Sequence, residues 1–92
     1  MKYLIYSVYD TATETFMQPI YAKTEAEALR GFKTAAQSEQ NQIGQYPADY
    51  SLFYIGEFTD HNADLRKAQP ECIISALEAS SKSREKLNGQ DS

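Results

Sequence analysis

Apolar residues at positions 2–9, Lys-Tyr-Leu-Ile-Tyr-Ser-Val-Tyr, recur with the period of a strand and are rich in aromatic and β-branched types. Alternation puts Leu4, Tyr6 and Val8 on one face and Tyr3, Ile5 and Tyr9 on the other, so both faces are apolar. A strand of that kind is central, or is covered on its second face by a partner. A polar turn at residues 10–14 leads into a second strand, expected over 15–22, which makes a hairpin. Pro19 lacks a ladder donor and pushes this strand to an edge or a bulge.

Thr24-Glu25-Ala26-Glu27 is a capping box. Thr24 is placed to accept from the N–H of Glu27, and Glu27 to reach back to the N–H of Thr24. The pattern predicts a helix over 24–40, with Leu29, Phe32 and Ala36 almost fully buried and Ala28 and Ala35 widening the stripe. Gly31 lies inside it, a tolerable weakness or a mark of close packing. Residues 41–49 read as a loop. Residues 50–59 form the third strand, with Leu52, Tyr54 and Phe58 on one face and Phe53 and Ile55 on the other. After a turn at 60–64, residues 65–67 are expected to pair briefly as a fourth strand. Pro70-Glu71 looks like a helix start, with a strand over the same stretch as the competing reading. The expected architecture is α+β: a three- to four-stranded antiparallel sheet in β-β-α-β order, one helix on a face, and a short C-terminal helix or strand. Residues 1–79 form the single domain, and 80–92 a disordered polar tail.

Charge changes the picture in one respect. The 92 residues carry 9 Lys+Arg against 13 Asp+Glu, a net charge of −4. The tail holds Lys82, Arg84 and Lys86 against Glu85 and Asp91, so the domain itself carries −5. Strong non-specific phosphate binding is disfavoured, since it rests on Lys and Arg displacing counterions. No apolar stretch approaches the roughly 20 residues of a membrane helix. The N-terminus lacks the apolar core of a signal peptide, and Cys72 is the single cysteine, so a cytoplasmic protein is expected.

The candidate chemistry is sparse. His61 is the lone histidine and sits in a polar turn without a visible nucleophile or base. Asp60, Asn62 and Asp64 alternate like the first ligands of a calcium loop, but Leu65 stands where that loop requires glycine. No catalytic residue, metal site or cofactor is expected. Two features remain. Aromatic side chains crowd the strands, and read either as core plus dimer interface or as a stacking platform for unpaired bases. Arg30, Lys33 and Gln37 share a flank of the helix, with Lys23 just before it, and read either as a solvated face or as a phosphate-contacting patch.

Several runs in order resemble a known family. They are Tyr6-Ser7-Val8-Tyr9-Asp10, Phe16-Met17-Gln18-Pro19-Ile20, Ala22-Lys23-Thr24, Glu27-Ala28-Leu29-Arg30-Gly31-Phe32, Tyr46-Pro47-Ala48-Asp49-Tyr50-Ser51-Leu52-Phe53 and Ile55-Gly56-Glu57-Phe58. Together they resemble the small nonstructural protein of gokushovirus-type microviruses, which are single-stranded-DNA phages. The resemblance covers residues 3–65 and stops there. It implies a non-enzymatic early protein, made in the host cytoplasm, that assists single-stranded DNA replication or packaging. The implied partners are single-stranded DNA, the phage replication protein, or both. A protein-binding module acting on the replication initiator or a host factor, without nucleic acid, is the alternative. One helix covers one sheet face only, so a homo-oligomer, most simply a dimer, is expected, with its interface on the opposite face, through Tyr3, Ile5, Tyr9, Phe53 and Ile55, or at a sheet edge.

Overall fold

The computed structural model describes residues 1–80. The chain runs β1 (Lys2–Asp10), β2 (Thr15–Phe16), β3 (Ile20–Ala22), α1 (Glu25–Ala36), α2 (Gln42–Gln45), a 3₁₀ turn at Pro47–Asp49, β4 (Tyr50–Thr59) and β5 (Asp64–Ser75). Residues 76–80 are helical. All pairings are antiparallel, in the order β2-β1-β4-β5, with β3 following β2 along the same edge of β1. The fold is α+β, with α1 on one face of a curled sheet. The disordered tail expected over 80–92 lies, from residue 81 onward, outside the described residues.

The capping box starts α1 nearly as the residues dictate. The Glu27 N–H donates to Thr24 Oγ1 at 3.1 Å, and Glu27 Oε1 accepts from the N–H of Lys23 at 2.9 Å, one residue earlier than expected. The helix ends at Ala36, capped by Gln37, rather than continuing to 40. Its buried stripe is Ala28, Phe32 and Ala36, a straight i, i+4, i+8 row. Leu29 is only half-buried, on the shoulder of that row. The stripe packs on Tyr6, Val8, Tyr50 and Leu52, and Ala76 and Ala79 of the C-terminal turn close the same core. The expected loop contributes too, because Ile43 of α2 is buried in this cluster.

Gly31 marks no close packing. A Cβ there meets nothing within 4 Å. Gly31→Ala therefore removes only the helix penalty of glycine and stabilises the domain by about 1 kcal/mol. Thermal unfolding should shift up by about 4–8 °C, the response of a domain of this size to that free energy. A fall in melting temperature would reveal a neighbour that the packing does not show.

Pairing decides three strand assignments. The second strand is not continuous over 15–22. It breaks at Met17–Pro19, and this segment forms a strap along the edge of β1, held by the Ser7 hydroxyl donating to the Met17 carbonyl at 2.7 Å and the Met17 N–H donating to the Val8 carbonyl at 2.8 Å. At Pro70 the competing strand reading holds, and the C-terminal helix starts only at residue 76. β5 runs through Pro70 to Ser75, bulging at residues 68–70, where proline needs no ladder donor. Finally, Ile5 pairs with Gly56 and Tyr6 with Tyr54, so Ile55 is an extra residue in β4. That bulge shifts the phase of the strand. Phe58, expected beside Leu52 and Tyr54, moves to the opposite face, across from Tyr3 and 6.4 Å from the Tyr21 ring.

Candidate functional site: two faces of one sheet

The α1 flank assembles as its spacing predicts. Arg30, Lys33 and Gln37 line one shallow groove of about 440 Å³ together with Ala26, Leu29 and Thr34. Positions 26, 30, 33 and 37 recur every three or four residues, which stacks them along one side of the helix. Lys23 lies outside this groove. Its backbone N–H serves the capping box, and its side chain is exposed before the first turn.

Six Lys and Arg residues fall within the described residues. Lys2 pairs with Glu57 at 3.3 Å, and Arg66 Nε with Asp64 Oδ2 at 2.7 Å. That bond, together with the Asp64 charge, pushes the Arg66 pKa up. The Lys67 ammonium donates to the Ala68 carbonyl at 3.2 Å. Among the described residues, Lys23, Arg30 and Lys33 make no such side-chain bond. Among the described residues, the positive charge without a carboxylate partner thus lies at the start and along one side of α1, with Lys67 on β5 as the exception.

The aromatic residues do not join it. Tyr6 and Tyr54 sit under the helix, ring centroids 5.6 Å apart, in an edge-to-face pair. Burial pushes the Tyr6 hydroxyl up from its ordinary pKa, with the Glu25 carboxylate, Tyr54 and Glu71 adding to the shift. Burial raises Tyr54 likewise, and Glu57 accepts from its hydroxyl at 3.5 Å. Both rings are core.

The other aromatics lie on the far face of the sheet, where alternation also carries Tyr3, Ile5, Tyr9, Phe53 and Ile55. Phe16, which the sequence reading left out of its interface, completes a cluster with Tyr9 at 4.8 Å and Phe53 at 5.4 Å, while Tyr9 and Phe53 stand 5.9 Å apart. Its place opposite Tyr9 in the hairpin was the available signal. The three rings turn edges and tilted faces to one another, which satisfies their quadrupoles internally. These rings lie on the sheet face opposite α1, so a stacking platform shared with the basic flank is not assembled. The sheet stands between them.

The far face is a trough. Its floor is Ile5, Ser7 and Ile55, and its cavity of about 610 Å³ is walled by Met17 and Tyr21 on one side and Leu65 and Lys67 on the other. Ile5 is only 6% exposed, so that member of the expected interface already belongs to the floor. A second cavity of about 500 Å³, bounded by Tyr3, Tyr21, Phe58 and Asp60, continues the trough past Tyr21. Cys72 is exposed on β5. No helix among the described residues is long and apolar enough to cross a membrane, and those residues hold no group of three or more potential metal ligands.

A family model described as Phage ORF5 protein matches residues 3–79. The match extends past residue 65, where the sequence resemblance stops, to the last buried alanine of the C-terminal turn. No curated protein and no solved structure matches the chain.

Proposed function

The chain belongs to the Phage ORF5 protein family, and from that premise we propose that this bacteriophage protein acts by binding rather than catalysis, assisting single-stranded DNA replication or packaging through weak contact with single-stranded DNA. The phage assignment follows from the family. The role in replication or packaging draws on the resemblance to the gokushovirus nonstructural proteins, and the host cytoplasm is its place of action. The observation that carries the DNA reading is the α1 flank. Arg30 and Lys33 line one groove with Gln37, and neither is engaged by a carboxylate among the described residues.

Physical chemistry sets the strength. Lys23, Arg30 and Lys33 supply at most three phosphate contacts, and the rest of the domain repels the polyanion. With no aromatic rings beside them, binding is weak, insensitive to base sequence and modestly salt-dependent. For single strands the slope of log affinity against log salt is about −0.7 per phosphate neutralised, so three contacts give about −2.

Fluorescence anisotropy of a labelled oligo-dT against salt concentration is the test. Replacing Arg30 and Lys33 together with Glu should abolish binding at low salt. Stability should stay within about 0.5 kcal/mol, as for ordinary surface changes. Binding that survives the double replacement removes the flank from the function. A partner captured from infected cells that persists after nuclease treatment, and is lost with the same replacement, would favour a protein-binding role for this surface instead.

A further inference from the structure

The trough on the far face has no part in the DNA reading, and its chemistry differs from that of the rest of the surface. Phe16 is 44% exposed, Met17 42%, Tyr21 62% and Leu65 66%. At about 150–250 Å² for a large side chain, these four leave on the order of 400 Å² of apolar surface in water. The half-buried Tyr3, Tyr9, Phe53, Ile55 and Phe58 bring the patch to roughly 600 Å². That is the upper end of what a monomer shows, and it approaches the roughly 800 Å² that each partner of a standard interface buries. Charge is confined to its rim, where Arg66 and Lys67 border the cavity. The described residues include eleven Asp and Glu, yet only Asp60 borders the trough, and the Met1 ammonium holds it at 2.6 Å. Of the two cations, Arg66 is paired with Asp64 and the Lys67 ammonium donates to the Ala68 carbonyl. Aromatic and Met enrichment with charge depletion is the composition of an interface core.

Shape selects the occupant. The face carries a ridge of side chains from the strap and its flanks, Phe16, Met17, Pro19 and Tyr21, beside a depression floored by Ile5, Ser7 and Ile55. A ridge and a depression on one face are what a two-fold contact needs, because each copy offers what the other receives. We propose that this protein is a homodimer in which the ridge of each copy, through Met17 and Tyr21, seats in the trough of the other. The depression of about 610 Å³ has room for these side chains. The Ser7–Met17 hydrogen bond then acts as a positioning contact, since it holds the ridge at its height. The two α1 helices face outward, so each dimer presents two basic flanks to one strand, which raises avidity without new contacts. The dimer itself requires no DNA, and its test is read without any.

The measurement is mass by light scattering and sedimentation of the full chain across micromolar concentrations. Twice the single-chain mass is expected. Met17→Glu and Leu65→Glu each bring an unpaired charge into the contact and should weaken dimerisation by more than about thirty-fold. Both sites are solvent-exposed in one copy, so the variants should keep their circular dichroism, and Leu65→Asn serves where the glutamate does not fold. A photo-crosslinking residue at position 21, in a mixture of light and heavy isotope copies, should join light to heavy chains at peptides containing Ile5–Ser7 or Ile55. A single-chain mass at every concentration overturns the proposal. So does a dimer that both glutamate variants leave intact, which would move the contact to the free edge of β5, or cross-linking at position 21 that captures only a foreign protein or DNA.

Discussion

Gly56→Val should lower the unfolding free energy by about 3–5 kcal/mol, a large fraction of what a domain of this size possesses. Two effects act at one atom. Gly56 has φ of +158°, in backbone space that side chains rarely enter, and such strain costs of order 1–3 kcal/mol. A Cβ there would also lie inside the contact radius of the Arg66 carbonyl oxygen and against the Lys67 Cα, 3.3 Å away. These are backbone atoms of the paired strand and cannot rotate aside. Forcing β4 and β5 apart adds an overpacking cost of about 1–3 kcal/mol. Because Gly56 pairs with both Ile5 and Lys67, the damage falls on the middle of the sheet. Urea denaturation should show a midpoint shift of the stated size. Hydrogen exchange should show β5 amides losing protection before those of β1. A shift below about 1 kcal/mol would mean that the strands separate more easily than their pairing indicates. The same variant should lose the dimer, since Leu65 and Lys67 form one wall of the trough.

Phe32→Ala should cost about 3–5 kcal/mol, and Leu29→Ala much less. The sequence pattern gives these two residues equal weight on the buried stripe. In the fold Phe32 is 4% exposed and its buried helical companions are Ala28 and Ala36, so it is the one large side chain of α1 that is fully enclosed. Removing it leaves a cavity between helix and sheet that alanines cannot fill. Leu29 lies at the edge of the core, beside Arg30 and Lys33 in the flank groove, and water can replace its side chain. Denaturation of the two variants in parallel checks the order. If Leu29→Ala proved the costlier, the helix would be rotated about its axis relative to the sheet, and the basic flank would point elsewhere.

Much of this protein follows from local pattern. The capping residues place the start of α1, alternation finds β1 and β4, and Pro19 foretells a defect in the second strand. These signals are local because a side chain's face depends on its neighbours three or four residues away in a helix, or two in a strand. The grouping of Arg30, Lys33 and Gln37 was legible for the same reason, as it depends on one helix alone.

What escaped the sequence depends on pairing between distant strands. Ile55 is an ordinary strand residue until β1 passes Tyr6 opposite Tyr54 and Ile5 opposite Gly56. Only then is it a bulge that carries Phe58 to the far face. Pro70 reads as a helix start because proline suits a first turn, but β4 supplies partners on either side of it and keeps the chain extended. The separation of the cations from the aromatic cluster was likewise decided by the tertiary structure. Residue types along the chain set what each element can contact. Which face of the sheet the helix covers determines what it does contact, and here that choice buries Tyr6 and Tyr54, leaves the basic flank outward, and turns the remaining rings into the trough on the opposite side.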